Sequence, residues 1–208
     1  MGRMFDVDSP VMDVLNKITN LVVLNLCFLI SCIPVVTIGA GLTALYSVNL
    51  KMIRSEESYV FKSYWKAFRE NFAQSTKIWI FALVIGGIFA ADFRIIPLLP
   101  DGISTFFGIV VLAIFILFVI TLLYVFPYMA RFRDGIKISV KNAFIIGIAH
   151  IGYTVTIVLI TGACVGISIF NFSVMLRAIF IWIVIGAGLL TFIQSFFFRK
   201  VFDRYEHL

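Results

Sequence analysis

Five stretches of the sequence contain no Asp, Glu, Lys or Arg: 18–50, 78–91, 102–130, 142–176 and 178–198. A charge at the centre of a bilayer costs about 2.5–3.5 kcal/mol on insertion scales, so long charge-free runs measure out membrane spans. About 20 helical residues cross a hydrocarbon core ~30 Å thick. Only helices and closed barrels satisfy their backbone hydrogen bonds there. The residues are 62% apolar and 13% charged, with a mean hydropathy of +1.07. A soluble domain carries about 25% charged residues. Too few polar residues remain to cover a water-facing surface, which excludes a soluble enzyme, a disordered chain and a disulfide-stapled secreted module. The chain reads as an all-α, polytopic helical membrane protein.

The run 178–198 is one span and 103–126 is another. A third is predicted at 142–165, with Gly162, Gly166 and residues 168–173 forming the turn before Arg177. The short run 78–91 extends to a span at 76–97 when Asp92 and Arg94 sit at the interface. As one helix, 18–50 would be ~50 Å long. Pro34, Gly39 and Gly41 divide it into segments at 14–33 and 38–54, joined by Pro34-Val35-Val36-Thr37. Six segments within a single domain, 1–208, result; the alternative is five, with one piece re-entrant or interfacial. With both termini inside, the inside holds 15 of the 17 Lys and Arg, Arg3 among them, and only Arg94 and Arg177 lie outside. That positive-inside pattern puts the C-terminus in the cytoplasm of a cell membrane. The first segment reads as an uncleaved anchor, because acidic residues precede it where a signal peptide is basic.

Residues 58–75 form a cytoplasmic amphipathic element. Phe61, Tyr64, Trp65, Phe68 and Phe72 share one helical stripe, and Lys62, Lys66, Arg69 and Glu70 lie opposite. Such a helix is suited to the interface, its rings at headgroup level and its cations on anionic membrane lipid. It serves either as a membrane-lying connector or as a docking platform. A second basic stretch carries Arg131, Lys137 and Lys141. At an offset of 71, Lys66 matches Lys137 and Asn71 matches Asn142, an echo that raises the question of duplicated hairpins. The net charge of +6 falls on these inside elements, so it argues for membrane orientation and against nucleic acid.

Polar groups within spans are the next candidates: Asn20, Asn25, His150 and Gln194, with Thr154, Thr156 and Thr191. His150 is the one titratable group deep in a predicted span. No acidic residue accompanies it, so a hydrogen bond to a neighbouring helix outweighs a proton relay. No carboxylate pair, Ser/His/Asp set, metal spacing or phosphate loop is present in the sequence. The expectation is a non-enzymatic protein with no cofactor and no metal. Cys27, Cys32 and Cys164 imply no disulfide framework.

Three runs carry a resemblance to a known family: residues 33–46, with Pro34, Thr37, Gly39 and Tyr46; residues 64–74, with Trp65, Phe68, Asn71 and Gln74; and residues 127–132, with Arg131. Together they resemble the YesL family of small bacterial membrane proteins, over nearly the whole chain. One departure is Ala40, where that family often has Pro. The resemblance implies no activity, since the family is a domain of unknown function. It implies an association with carbohydrate ABC importers, beside whose genes members are often encoded. The expected role is therefore an accessory or interaction component of carbohydrate uptake. Its contact surface would comprise Lys62, Trp65, Lys66, Phe68, Arg69, Asn71, Arg131, Lys137 and Lys141, with ABC importer subunits as partners. The alternative is a small transporter or channel acting as a homo-oligomer, with Asn25, His150 and Gln194 in its interior.

Overall fold

The structure is a computed structural model that describes residues 10–56 and 59–205. Arg3, counted on the inside, and Ser58, the first residue of the amphipathic element, lie outside the described residues. Among those described there are eight α-helices and no strand: α1 (Pro10–Ser31), α2 (Ile38–Ile53), α3 (Val60–Ile95), α4 (Asp101–Arg131), α5 (Ile136–Ala149), α6 (Ile151–Ile169), α7 (Phe172–Ile181) and α8 (Ala187–Phe202). A π-helical turn, Trp182–Gly186, fuses α7 and α8 into one rod, Phe172–Phe202. Six helices are long and apolar enough to cross a membrane: α1, α2, α3, α4, α6 and the α7–α8 rod. With its 14 residues, α5 reaches only ~21 Å and is too short to do so.

At the centre lies α2, where Ala44, Leu45, Val48 and Asn49 are fully buried. One apolar cluster joins α2 to α1 and α3 through Leu21, Leu24, Cys27, Leu45, Val48 and Tyr64. A second, aromatic cluster joins α2 to α4, α5, α6 and α8. Within it Phe198 meets Tyr124 and Tyr46 edge to face, 5.2 Å and 5.5 Å away between centroids. That is a favoured geometry for aromatic pairs. The outer surfaces of α3, α4, α6 and α7 expose Phe81, Phe106, Leu159, Phe180 and many other apolar side chains, as helices facing lipid do.

Three expected boundaries shift. The amphipathic element 58–75 and the span 76–97 form one unbroken helix, α3. Nothing between them breaks a helix, and Tyr64, Ala67, Ser75, Ile78 and Ala82 make one continuous inward stripe at helical spacing. Tyr64 is fully buried and bonded to Ser31. That end of α3 therefore packs on α1 and α2 instead of lying free on a membrane.

The span expected at 142–165 is also two helices, broken at His150, whose backbone (φ −113°, ψ 46°) leaves the helical region. The crossing helix is α6, shifted toward the C-terminus, and α5 becomes a short helix packed on α4. Gly162 and Gly166 stay inside α6, and the turn narrows to Phe170 and Asn171. There the Asn171 side chain caps α7 by accepting from the Ser173 N–H. The break also disposes of the echo at offset 71: α3 continues past Asn71 for 24 residues, whereas α5 ends seven residues after Asn142.

The family-like residues build the joint between α1 and α2. Pro34 stops the incoming helix, and the Thr37 hydroxyl donates to the carbonyls of Ser31 (2.5 Å) and Pro34 (2.7 Å). The Trp79 ring N–H covers the Val35 carbonyl at 2.8 Å. Gly39 then lets α2 come against α3, and Tyr46 reaches from α2 to Gln194 on α8.

Candidate functional site

The site follows from where three helices end. At the end of α2, the Ser55 N–H bonds the Met52 carbonyl and the Glu56 N–H bonds the Lys51 carbonyl, with Ser55 in the left-handed region at φ 58°. This is the Schellman arrangement, in which glycine is the favoured residue at the left-handed position. The turn projects Lys51 and Glu56 to one side. The first turns of α3 present Ser63, Lys66, Glu70, Asn71 and Gln74, and the end of α4 presents Arg131, Phe132 and Arg133. Together these line a cleft of about 560 Å³ with a floor of Leu50, Ala67 and Met129.

A carboxylate clamp holds this end together. Asp203, just past α8, lies 2.6 Å from Arg54, 3.5 Å from Arg199 and 3.9 Å from Arg131. It thereby ties the ends of α2, α4 and α8. The Gln74 amide donates to the Asp134 carbonyl at 2.6 Å, which fixes the α4–α5 loop against α3. Arg133 pairs with Glu70 at 3.5 Å on the rim. Four cationic side chains, Lys51, Lys66, Arg131 and Arg133, thus face two carboxylates, Glu56 and Glu70. Asn71, Gln74, Ser47 and Ser63 add amide and hydroxyl groups to the same lining. Such a lining can bind a carboxylate- or phosphate-bearing group by charge-assisted hydrogen bonds.

Of the nine residues expected to form the contact surface, the cleft gathers Lys66, Asn71 and Arg131. Lys62 and Arg69 point outward from α3, and Trp65 and Phe68 are half-buried against the α1–α2 cluster. Lys137 and Lys141 line a different groove, between α3 and α5. The expectation omitted Lys51, Glu70, Gln74 and Arg133. Glu70, Gln74 and Arg133 lie within the two basic stretches and Lys51 just before the first, yet only the antiparallel pairing of α2 with α3 and the turn after α4 brings them together.

The intramembrane polar residues are placed individually. Asn25 is fully buried, its amide donating to the carbonyls of Trp182 (3.0 Å) and Ile183 (2.7 Å) and its oxygen accepting from Gly188 N–H (3.0 Å). Gln194 accepts from the Tyr46 hydroxyl and donates to Thr161 at 2.8 Å, linking α2, α6 and α8. Thr154 donates to the Gly147 carbonyl at 2.7 Å and lies 2.8 Å from the Tyr124 hydroxyl, while Thr156 bonds its own helix. Asn20 is half-buried on α1. A residue not singled out, Asn49, is fully buried and donates to Thr191 at 2.8 Å. Its place one residue before the end of the first charge-free run was the signal for it.

His150 is not deep in a span. It caps the start of α6, with Nε2 3.1 Å from the Tyr205 hydroxyl at the same end as Asp203. Partial burial, and then the positive charge of Arg204, hold its pKa below the ordinary value near 6.5. Because the folded pKa is depressed, the contribution of neutral His150 to stability is present above the unfolded value and is lost as pH falls through the folded one. Arg204→Gln should therefore raise the His150 midpoint toward the ordinary value, read from its ring resonances in a pH titration. An unmoved midpoint would remove Arg204 as a cause.

Among the described residues, no three His, Cys, Asp or Glu side chains gather where they could hold a metal ion, and all three cysteines are free.

Comparison with known proteins adds two likenesses. Residues 21–93, which include α2, the α1–α2 joint and most of α3, match the family described as "Protein of unknown function, DUF624". The chain is also 29% identical over 122 residues to the "Uncharacterized protein YteU" of Bacillus subtilis (strain 168), covering 58% of this chain and 54% of YteU. The chain spans about half the length of that curated relative. No solved structure matches. Both likenesses support a DUF624-type family of uncharacterised proteins, here with a membrane-like helical fold.

Proposed function

We propose that this protein is a non-enzymatic accessory component of the bacterial cell membrane, with its C-terminus in the cytoplasm. In this reading it acts by binding a partner at its basic end. The observation that carries the reading is the cleft, in which residues from three helix ends and both basic stretches form one polar, net-cationic recess beside an apolar body. Its occupant is an acidic segment of a membrane-associated partner. The resemblance to the YesL family, with its gene neighbourhoods, favours a subunit of a carbohydrate ABC importer. A homo-oligomeric transporter is supported less well, because Asn25 and Gln194 spend their amides on neighbouring helices instead of facing an open path.

The test is recovery of the partner with tagged protein in mild detergent. Lys51→Glu with Lys66→Glu, inside the cleft, should reduce recovery at least about tenfold, on the scale of a lost charge-assisted contact. Lys62→Glu with Arg69→Glu, on the outward face of α3, should change it far less. Equal recovery from both double variants would refute the cleft as the contact surface. Flux of sugars or ions through vesicles holding the protein alone would favour the transporter instead.

A further inference from the structure

A second recess lies between α3 and α5 and has the opposite character to the cleft. It is about 430 Å³, with walls made by Ile78, Phe81, Ile136 and Val140, and its polar rim consists of Lys77, Lys137 and Lys141. All three lysines are exposed. Among the described residues no carboxylate comes within ion-pair distance of any of them. The α4–α5 loop, held to Gln74, stands between this groove and the cleft.

The placement of the lysines is what gives the groove its meaning. Lys77 immediately precedes the charge-free run 78–91, and Lys141 immediately precedes 142–176. The two helices therefore bring to one groove the cations that precede their charge-free runs. On α3 the apolar wall begins one residue beyond Lys77, with Ile78 buried and Phe81 67% exposed toward the surroundings, and on α5 Ile136 and Val140 alternate with Lys137 and Lys141. A groove with apolar walls and three cations on its rim, unpaired among the described residues, matches a molecule with an acyl chain and an anionic head. Basic pockets between membrane helices bind anionic lipid headgroups for this reason.

We propose that the α3–α5 groove is a binding site for one anionic glycerophospholipid. Its phosphate lies among Lys77, Lys137 and Lys141, and an acyl chain lies along Ile78, Phe81, Ile136 and Val140. The site fixes α5, which is too short to cross the bilayer, at the headgroup level beside α3. This inference does not rest on the partner-binding role of the cleft.

The experiment is native mass spectrometry of the purified full chain, delipidated and titrated with phosphatidylglycerol or with phosphatidylcholine of the same chains. One phosphatidylglycerol should be retained in preference to phosphatidylcholine. Lys77→Glu, Lys137→Glu and Lys141→Glu together should weaken it about a hundredfold, on the scale of roughly fivefold for each lysine near an anionic surface. A charge-matched control, Lys17→Glu with Arg94→Glu and Lys200→Glu, should leave binding unchanged. Val140→Trp, which fills the groove and keeps every lysine, should also weaken phosphatidylglycerol. Equal retention of phosphatidylcholine, or undiminished binding to the triple Glu variant, would overturn the proposal. So would displacement of the lipid by inorganic phosphate at a similar concentration, which would mark a free-anion site.

Discussion

Asn25→Leu should destabilise the protein by about 3 kcal/mol, one of the largest losses any single side chain here can cause. Leucine fills nearly the same volume, so the loss is one of hydrogen bonds. The π-helical turn Trp182–Gly186 takes the α7–α8 rod out of its regular hydrogen-bond ladder, and Asn25 reaches across from α1 to bond both the Trp182 and Ile183 carbonyls and the Gly188 N–H. Removing it takes a partner from three backbone groups, the Gly188 N–H in a buried bond and the Trp182 and Ile183 carbonyls in part-buried ones. An unpaired buried group costs about 1–3 kcal/mol in water-soluble proteins. Interhelical hydrogen bonds measured within a membrane average nearer 0.6 kcal/mol and reach about 1.7. Three such groups bracket the expected loss at about 2–5 kcal/mol. The measurement is reversible unfolding in mixed micelles, with Thr19→Val as the control. Thr19 is exposed and bonds only its own helix, so its loss should be within about 0.5 kcal/mol of zero. A similarly small value for Asn25→Leu would show that the turn satisfies its own backbone.

This interaction illustrates what could and could not be read from the chain. Asn25 is visible as a polar residue in a charge-free run, and hydrogen bonding between helices is a common use of an amide there. Its partners were not visible, because the π-turn at Trp182–Gly186 carries no Pro, its Gly186 alone does not specify such a turn, and it becomes sensible only once an amide stands opposite it. The spans themselves were legible because a charge in hydrocarbon is so costly that its absence is a strong signal. The same ruler failed at 142–176, where no charge marks the division at His150. Helix breaks at residues without Pro or Gly are set by tertiary packing, here α5 on α4 and Tyr205 on His150. The cleft was half legible: both basic stretches were evident, but charge counting cannot tell that Lys66 and Arg131 share a recess while Lys62 faces away and Lys137 lines another.

Gly39→Ala tests the other feature the sequence marked, and its expected sign is the reverse of what helix propensity predicts. Alanine in place of glycine inside a helix ordinarily gains about 1 kcal/mol. At Gly39 a Cβ would fall 2.6 Å from the Cβ of Trp79, 2.7 Å from the Ser75 carbonyl oxygen and 3.0 Å from the Phe126 ring. The first two belong to, or sit directly on, the α3 backbone and cannot rotate away, so α2 and α3 must separate. Separation stretches the 2.9 Å contact between the Thr43 and Ser75 hydroxyls and the Trp79 bond to the Val35 carbonyl, on which the exposed joint depends. Overpacking of this kind costs about 1–3 kcal/mol before those bonds are counted. The net expectation is a loss of about 2 kcal/mol for Gly39→Ala, and failure to recover folded protein for Gly39→Leu. Gly86 and Gly87, farther along α3, have nothing within 4 Å of an added Cβ. Alanine at either should be neutral or stabilising by up to about 1 kcal/mol, the propensity gain uncancelled. The same chemical change should thus move thermal unfolding in detergent in opposite directions at two places in one bundle. If Gly39→Ala instead matched the gain at Gly86 or Gly87, close approach of α2 to α3 would not be what the glycine supplies, and the joint would have to be held by Thr37 and Trp79 alone.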